Sequence, residues 1–322
     1  MSEAMDWRNQ IAGSKVLVTG ASGFIGEHLC ERLSNGGAVV HAVSRKPQRS
    51  LNGLRWWRAN LRDASEVGRV FKTVRPQIVF HLASYVVGAR ELGVVLPTFY
   101  DNLASTVHLL TAAAEAGCRR IVLASSSEEP QISDDAAFPC SPYAAAKWAS
   151  NVYGRMFHHL FQTPVVMPRI FMTYGPKQKD GQKLVPYVIC RLLRGEAPTL
   201  SSGRRLADWI YVDDVVEGLL RAAVVPEIDG CSFDLGSGSL VSVRGIVEQL
   251  VDIVGGSVEP VFNKLADRPF EQERAADTSF LSNKLGYVPR TALRKGLDAT
   301  VIWYRQQLGS TLERALECLR TS

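Results

Sequence analysis

The sequence is poor in the features that mark membrane, disulfide-bonded and metal-binding proteins. It has no apolar run long enough to cross a bilayer and no basic segment followed by an apolar one near its start, so we expect a cytoplasmic protein with no membrane partner. Its six cysteines form no close pair and show no metal-ligand spacing, which predicts reduced thiols and no metal site. The net charge is only +5, and the basic residues form no stripe with interleaved aromatics, so we expect no nucleic-acid partner.

The first half of the chain shows a regular alternation of two patterns. Short apolar segments, each a candidate strand, alternate with segments of helical pattern. The candidate strands are 15–19, 38–43, 55–59, 77–82, 120–125 and 164–170, and the candidate helices are 24–35, 63–74, 97–117 and 142–161. Such alternation predicts an α/β fold in which helices cover both faces of a parallel sheet.

A glycine-rich turn joins the first of these strands to the first helix. Gly20, Gly23 and Gly26 are spaced three apart, and side chains there would block the tight turn, the approach of a pyrophosphate and the packing of helix on sheet. The helix beginning at Phe24 would direct free N–H groups at phosphate. The pattern predicts a dinucleotide site in a Rossmann-type doubly wound sheet. Its cofactor-binding candidates are Gly20, Ser22, Gly23, Phe24, Ile25 and Gly26.

The end of the second strand bears on the choice of dinucleotide. In dinucleotide folds an acidic residue at this position accepts a hydrogen bond from the adenosine 2′-hydroxyl and repels a 2′-phosphate. This chain has Ser44, Arg45 and Lys46 there, whose hydroxyl, guanidinium and ammonium groups suit a phosphate. We therefore expect NADP(H) to be preferred, with NAD(H) possible.

After about residue 170 the pattern becomes irregular, and Pro and Gly become frequent. Candidate helices near 182–194, 213–224, 243–254 and 293–307 and short strands near 208–212, 232–235 and 258–262 predict a smaller mixed α/β lobe. We expect a cofactor-binding domain over 1–175, with interleaved returns near 208–255, and a substrate-binding lobe over 176–322.

A tyrosine and a lysine four residues apart share one face of a predicted helix. An ammonium from Lys147 near the phenol of Tyr143 would favour its ionised form and lower its pKa, as a general acid–base group requires. Upstream, the strand 120–125 runs into three serines, any of which would lie at the catalytic edge of an open α/β sheet. Glu128 and Glu129 follow at once, either as solvated loop residues or as a proton shuttle for a dehydration.

The glycine loop, the serine-ended strand and the Tyr-x-x-x-Lys pair occur in an order that resembles the extended short-chain dehydrogenase/reductase family. More narrowly, the chain looks like the nucleotide-sugar epimerase, dehydratase and 4-ketoreductase group. Further matching segments are His81-Leu82-Ala83-Ser84, Asn102, Tyr174-Gly175-Pro176, Tyr211-Val212-Asp213-Asp214 and Leu285-Gly286-Tyr287-Val288-Pro289. The resemblance implies a nucleotide-sugar substrate, and a homodimer formed through the helices near 97–117 and 142–161.

The resemblance also implies roles for individual residues. Ser127, Tyr143 and Lys147 match the catalytic triad, in which the tyrosine exchanges the proton of a sugar hydroxyl and the lysine also binds the nicotinamide ribose. The adenine-contacting pair and the segment beside the cofactor are matched by Asn60, Leu61, Leu82, Ala83 and Ser84.

Three departures from the family pattern affect the expected substrate contacts. Met172 stands where the family has a substrate-binding asparagine. Ala207 replaces a pyrophosphate-binding arginine, for which Arg204 or Arg205 would substitute, and Arg268 matches a second phosphate-binding arginine. The segment between Ser127 and Tyr143 is short, although Glu129 matches the base of a dehydratase.

These departures, together with Ser44, Arg45 and Lys46 at the end of the second strand, favour an NADPH-dependent 4-ketoreductase of a nucleotide-linked 4-keto-deoxyhexose. The alternative is a nucleotide-sugar 4-epimerase, which keeps its cofactor bound. A 4,6-dehydratase, with Glu129 as base and Glu128 as acid, is a weaker hypothesis, as is reduction of a carbonyl compound without a nucleotide. A cofactor-binding sensor without catalysis would need the glycine loop but not Tyr143, so the intact triad counts against it.

Overall fold

The computed structural model describes residues 6–48, 53–130 and 138–320, with residues 309–320 described by their backbone alone. Its strands are β1 (Lys15–Thr19), β2 (Val39–Ser44), β3 (Arg55–Arg58), β4 (Ile78–His81), β5 (Arg120–Leu123), β6 (Ser125–Ser126), β7 (Val165–Ile170), β8 (Met172–Tyr174), β9 (Leu206–Tyr211), β10 (Ser232–Leu235) and β11 (Leu240–Ser242). Eight of them form a parallel sheet in the order β3-β2-β1-β4-β5-β7-β10, with β6 also pairing with β7. This order, which winds outward in both directions from β1, confirms the predicted doubly wound sheet.

The α-helices of the described residues are divided between the two faces of this sheet and the smaller lobe. They are α1 (Trp7–Ile11), α2 (Phe24–Asn35), α3 (Ala64–Val74), α4 (Val95–Thr98), α5 (Ser105–Ala116), α6 (Pro142–Phe161), α7 (Leu184–Leu193), α8 (Val212–Ala222), α9 (Val243–Val254), α10 (Ser279–Asn283) and α11 (Leu293–Arg320). Because side chains alternate along a strand, Val16 and Val18 of β1 enter the core under α2 and α8, whereas Leu17 enters the core under α3, α5 and α6.

A second, smaller lobe has its own apolar core, as the sequence predicts. Strands β8, β9 and β11 form a three-stranded mixed sheet, on which α7, α9 and α11 pack through Val188, Ile246 and Leu297. The chain returns to the larger lobe between these elements, since α8 packs in the core under α2 and β10 forms an edge of the central sheet. The division into two domains at residue 175 stays a prediction.

Two predicted elements differ in the structure. The predicted strand 258–262 is wrong, because only Val261 forms an isolated bridge, to Thr199. The predicted helix 97–117 is interrupted by a π-helical segment, Phe99–Ala104, in which the side chain of Asn102 accepts a hydrogen bond from the Tyr85 amide at 2.6 Å. An inserted π turn of this kind often lies at a functional site. Across the described residues, no helix combines the length and apolar character needed to cross a bilayer.

Candidate active site

A cleft of ≈ 1720 Å³ lies at the carboxyl ends of the central strands and extends to the smaller lobe. Parallel strands present loops and helix N-termini at this edge, which is where ligands bind in open α/β sheets. The predicted site residues that line the cleft are Gly20, Ser22, Gly23, Phe24, Ile25, Gly26, Ser44, Arg45, Lys46, Asn60, Leu61, Leu82, Ala83, Ser84, Ser127, Tyr143, Lys147, Met172, Arg204, Arg205 and Arg268. Glu129 is the predicted site residue that lies outside this lining.

The glycine turn packs tightly against the loop after β4. Gly20 has a φ of +69°, and a Cβ there would lie 2.7 Å from backbone atoms of Leu82 and Ala83, so any side chain is excluded. Gly23 is the N-cap of α2 and offers no side chain to the first amides of the helix. The turn therefore leaves a helix N-terminus open to the cleft, and such a terminus can hold a pyrophosphate.

The corner predicted to bind the adenosine contains a carboxylate that sequence reasoning missed. Asp101, from the π-helical segment, accepts two hydrogen bonds from Arg62, at 2.7 and 2.8 Å, and lies 3.6 Å from the guanidinium of Arg45. Arg45 and Lys46 at the end of β2 line the same corner. Asp101 is distant in sequence from β2, so no local sequence pattern indicates that it lies at this corner.

Tyr143 and Lys147 lie together in the middle of the cleft, on the first turns of α6. The helix begins where the side chain of Ser141 caps the amide of Ala144 at 3.1 Å. The Lys147 ammonium lies 5.9 Å from the centre of the Tyr143 ring and donates to the carbonyl of Ala124 at 2.8 Å. The predicted pairing on one helix face is therefore present.

Ser126 is the serine whose side chain counteracts the burial-driven rise in the pKa of Tyr143. Its hydroxyl accepts a hydrogen bond from the amide of Glu128 at 3.2 Å. Ser127 lines the cleft, and its amide donates to the carbonyl of Ile170 at 3.1 Å. Neighbouring side chains on an extended segment point to opposite faces, so a shift of one residue along the serine run changes which hydroxyl meets the tyrosine. The serine run itself was the sequence feature from which Ser126 could have been found.

The pKa of Tyr143 shifts in the direction opposite to the expected one. Burial, with help from the charges of Glu128 and Glu129, raises the pKa of Tyr143 above its usual value, while the hydrogen bond from Ser126 opposes this. The expectation that the pKa of this phenol falls is therefore wrong, because the effect of burial is the largest one. Burial lowers the pKa of Lys147 to about 8, and the charge of Glu129 opposes that shift.

The two adjacent glutamates, Glu128 and Glu129, lie in different environments. Glu128 lines the cleft, where its carboxylate lies 3.5 Å from the hydroxyl of Ser141. Glu129 is 3% exposed, and its carboxylate accepts hydrogen bonds from the hydroxyl of Ser125, the amide of Ser126 and the side chain of Asn151. The expected substrate contact of Glu129 is not supported, because its carboxylate is enclosed behind the cleft.

The half of the cleft beside the smaller lobe holds the predicted phosphate-binding arginines. Glu271 lies 3.1 Å from Arg205 and 3.9 Å from Arg268, so one carboxylate holds both guanidinium groups. Arg274, which sequence reasoning missed, pairs with Asp234 at 2.6 Å and lines a small pocket beside Ser127. These arginines give this half of the cleft the donors that a diphosphate requires.

The segment after β8 is fastened to α2, the helix that begins at the glycine turn. His28 on α2 lies 2.9 Å from the carbonyl of Pro176. Lys177 pairs with Glu31 and Lys179 with Glu27, both at 2.8 Å. Residues 177–183 line the cleft, and we call 176–183 the strap. The strap therefore connects the smaller lobe to the predicted cofactor helix.

The chain is similar to known proteins over most of its length. The model of the NAD dependent epimerase/dehydratase family matches residues 16–232. UDP-glucose 4-epimerase of Mycolicibacterium smegmatis is 30% identical over 91% of this chain and 99% of its own length. dTDP-glucose 4,6-dehydratase of an Actinoplanes species is 29% identical over 90% and 98%. The solved structure of Thermus thermophilus UDP-glucose 4-epimerase with NAD is 27% identical, with a TM-score of 0.78 and coverage of 90% and 99%.

Proposed function

The chain belongs to the NAD dependent epimerase/dehydratase family, and we propose that it is a nucleotide-sugar 4-epimerase. The extended short-chain dehydrogenase/reductase resemblance is thereby confirmed, and the protein is an enzyme of the oxidoreductase type that acts on nucleotide sugars. The observations below favour the epimerase over the two other reactions considered. Ketoreduction remains as a second candidate.

The cofactor half of the cleft fits a nicotinamide dinucleotide. A Cβ at Gly20 would fill the turn, and the uncapped N-terminus of α2 offers amides for a pyrophosphate. We propose that Asn60 and Leu61 contact the adenine, and that Arg45 and Lys46 favour NADP(H) over NAD(H). When bound, the oxidised nicotinamide supplies the hydride acceptor and a positive charge, which lowers the pKa of a neighbouring phenol.

Tyr143 is proposed to exchange the proton of the sugar hydroxyl at C4. Tyr143 and Ser126 both line the cleft, so the phenol lies beside a serine where a sugar hydroxyl would bind. Lys147 donates to the Ala124 carbonyl, which fixes a positive charge beside the phenol and close to the proposed nicotinamide ribose site. Ser127 lines the adjoining pocket and is proposed to contact the substrate. Met172, Arg204, Arg205 and Arg268 are proposed to contact sugar and diphosphate.

The strap is the observation that favours an epimerase over a reductase. An epimerase returns the hydride to the same sugar and releases no cofactor, so contacts that retain the dinucleotide suit it. The ion pairs of Lys177 and Lys179 and the contact of His28 fasten the strap to the cofactor helix. Dehydration is disfavoured by Glu129, because the carboxylate that matches a dehydratase base is enclosed.

A 4-ketoreductase is the second candidate, and two observations favour it. The corner of Ser44, Arg45 and Lys46 suits the phosphate of NADPH. The raised pKa of Tyr143 keeps this phenol protonated, and a protonated phenol is the donor that reduction of a carbonyl needs.

The deciding experiment follows product formation with and without added cofactor. The purified protein is incubated with UDP-glucose or UDP-galactose and no dinucleotide, while a parallel sample receives NADPH and a nucleotide-linked 4-keto-6-deoxyhexose. Interconversion of the C4 epimers without added cofactor, together with dinucleotide released on denaturation, supports the epimerase. Stoichiometric oxidation of NADPH with a reduced sugar, and no epimerisation, overturns it in favour of the ketoreductase.

We also propose that the protein forms a homodimer through the helices near 97–117 and 142–161. Exposed apolar side chains lie on both: Leu96, Phe99 and Tyr100 are 62%, 44% and 45% exposed, and Val152 and Tyr153 of α6 are 51% and 39% exposed. Such a shared apolar patch is typical of an interface. In a sedimentation experiment we expect the parent protein to be a dimer and Val152→Glu to be a monomer. A monomeric parent protein would contradict the proposal.

A further inference from the structure

A buried histidine lies behind the loop that follows β4. His81 is the last residue of β4, and it is 1% exposed. Its Nδ1 lies 2.7 Å from the hydroxyl of Thr19, at the end of β1, and its Nε2 lies 3.1 Å from the hydroxyl of Thr106 on α5. Both threonines are buried as well. A buried polar ring is costly unless its nitrogens have partners, so these two hydroxyls decide the state of the imidazole.

The Thr106 hydroxyl determines which ring nitrogen carries the proton. This hydroxyl donates to the carbonyl of Asn102 at 2.6 Å, and a carbonyl can only accept, so the single hydroxyl proton is used there. The Thr106 oxygen therefore accepts a hydrogen bond from the Nε2–H of His81. Nδ1 is left as an acceptor, and the hydroxyl of Thr19 donates to it. The Nε2–H tautomer is thus the one that satisfies all of these groups.

The same hydrogen bonds reach the near end of residues 82–85, which we call the β4 loop. The Thr19 oxygen accepts from the amide of Ala83 at 3.2 Å while its proton is directed to His81. Leu82 and Ala83 line the cleft, and their backbone atoms are those that a Cβ at Gly20 would meet. The direction of the Thr19 hydroxyl therefore bears on where the β4 loop lies relative to the glycine turn.

The hydrogen bonds also reach the far end of the β4 loop. Asn102, whose carbonyl holds Thr106, accepts with its side chain from the amide of Tyr85 at 2.6 Å and from the hydroxyl of Ser84 at 3.1 Å. The same side chain donates to the carbonyl of Tyr85 at 3.2 Å. Ser84 and Tyr85 line the cleft too. His81 therefore connects the two places at which the β4 loop is held.

His81 keeps this arrangement over a wide range of pH. Burial, with help from the charge of Lys147, lowers the pKa of His81 to about 3, so the ring stays neutral near pH 7. A proton added at Nδ1 would point at the Thr19 hydroxyl, which would then have to turn its own proton away from the ring.

We propose that His81 is a positioning residue for the dinucleotide, which as its Nε2–H tautomer joins Thr19 to Thr106 and thereby holds the β4 loop beside the glycine turn. The inference rests on the proposed dinucleotide site. It does not depend on whether the sugar is epimerised or reduced, because both reactions need the bound dinucleotide.

Thr106→Val tests the proposal at a residue outside the cleft lining. The substitution keeps nearly the same shape but removes the hydroxyl that accepts from His81. Thr300→Val is the matched control. Thr300 is buried in α11 and outside the cleft lining, and its hydroxyl donates to the carbonyl of Gly296, four residues earlier, as the Thr106 hydroxyl does to Asn102. Within the part of the chain that the structure describes, only the Thr106 hydroxyl of this pair also contacts a histidine.

The readout is the affinity for NADPH and NADH in a fluorescence titration. We expect Thr106→Val to bind both at least about fivefold more weakly than the parent, because a hydrogen bond that holds the β4 loop is lost. Thr106→Ser restores the hydroxyl, so it should bind as the parent does, and so should Thr300→Val. Equal affinities in folded Thr106→Val and Thr300→Val overturn the positioning role. A parent protein that binds neither dinucleotide overturns the proposed cofactor site, and the positioning role with it.

A ¹⁵N NMR spectrum of the histidine rings tests the tautomer without any ligand, and it covers the case in which Thr106→Val does not fold. The chain has six histidines. The His81 signals are assigned by their loss in His81→Gln or, if that variant does not fold, by substituting the other five histidines one at a time. We expect the Nε2–H pattern, unchanged from about pH 5 to about pH 8. An Nδ1–H pattern, or a second protonation within this range, overturns the proposal whatever the fate of the proposed function.

Discussion

Arg45→Ala tests the proposed preference for NADP(H) at a single side chain. Arg45 follows β2 at the corner of the cleft where the adenosine is proposed to bind, and its side chain is 66% exposed. It lies 3.6 Å from Asp101, which is already held by two hydrogen bonds from Arg62. The guanidinium is therefore free to turn toward a 2′-phosphate without leaving a carboxylate unpaired.

The magnitude follows from the loss of one charged hydrogen bond. Such a bond contributes about 1.5–3 kcal/mol, and the exposure of Arg45 places it at the lower end of that range. Because about 1.4 kcal/mol corresponds to a tenfold change in an equilibrium constant, NADPH affinity should fall roughly tenfold. NADH has no phosphate at this position, so its affinity should change little.

The assay is a fluorescence titration of the parent and the variant with NADPH and with NADH. Arg69→Ala is the matched control, because Arg69 is 69% exposed, pairs with a glutamate at 3.9 Å and lies on α3 outside the cleft lining. Equal losses of NADPH and NADH affinity in Arg45→Ala would refute the assignment of this residue to the 2′-phosphate.

Three further variants, one of them a double substitution, probe the site. Tyr143→Phe should lower kcat by at least about 100-fold, with dinucleotide affinity retained in a binding titration, because only the exchanged proton is lost. Gly20→Ala should lower the free energy of unfolding in urea by about 1–3 kcal/mol, because the backbone φ of Gly20 is +69°. Gly68→Ala is the control: a Cβ at Gly68 meets open space, so this substitution should be neutral or stabilising. Lys177→Met combined with Lys179→Met should speed dinucleotide release in a displacement assay, and an unchanged release rate would contradict the retaining role of the strap.

Much of the fold could be predicted because its determinants are local. The glycine turn and the Pro142 start fix where α2 and α6 begin, and the predicted bounds 24–35 and 142–161 match the structure. The predicted strand 258–262 failed because strand formation depends on a partner elsewhere in the chain, and the partner provides only one bridge to Val261. The π-helical interruption before α5 escaped prediction because Asn102 bonds to Tyr85, a contact between distant segments.

The site residues that belong to short motifs could be predicted from the sequence. Those that come together from elements distant in sequence were missed. Tyr143 and Lys147 were found because four residues span one helical turn. Asp101 was missed because it reaches the Arg45 corner from another element. The strap and the pairing of Glu271 with Arg205 were missed for the same reason, whereas Arg268 lies only three residues from Glu271. The role of Ser127 follows from the family resemblance and stays a prediction, because apolar patterning does not fix the register within a run of identical residues.

The different environments of Glu128 and Glu129 lead to a last prediction about the reaction. A 4,6-dehydration needs a base that removes the proton at C5, and Glu129 is the residue that matches that base. To reach a substrate it would have to leave Asn151 and the Ser126 amide, and this amide would then be buried without its carboxylate partner. We therefore expect no incorporation of deuterium at C5 when a nucleotide sugar is turned over in D₂O and its ¹H NMR spectrum is recorded. Exchange at C5 during turnover would show that a base other than the enclosed carboxylate, or a rearranged turn, reaches the substrate, and the argument against dehydration would fail.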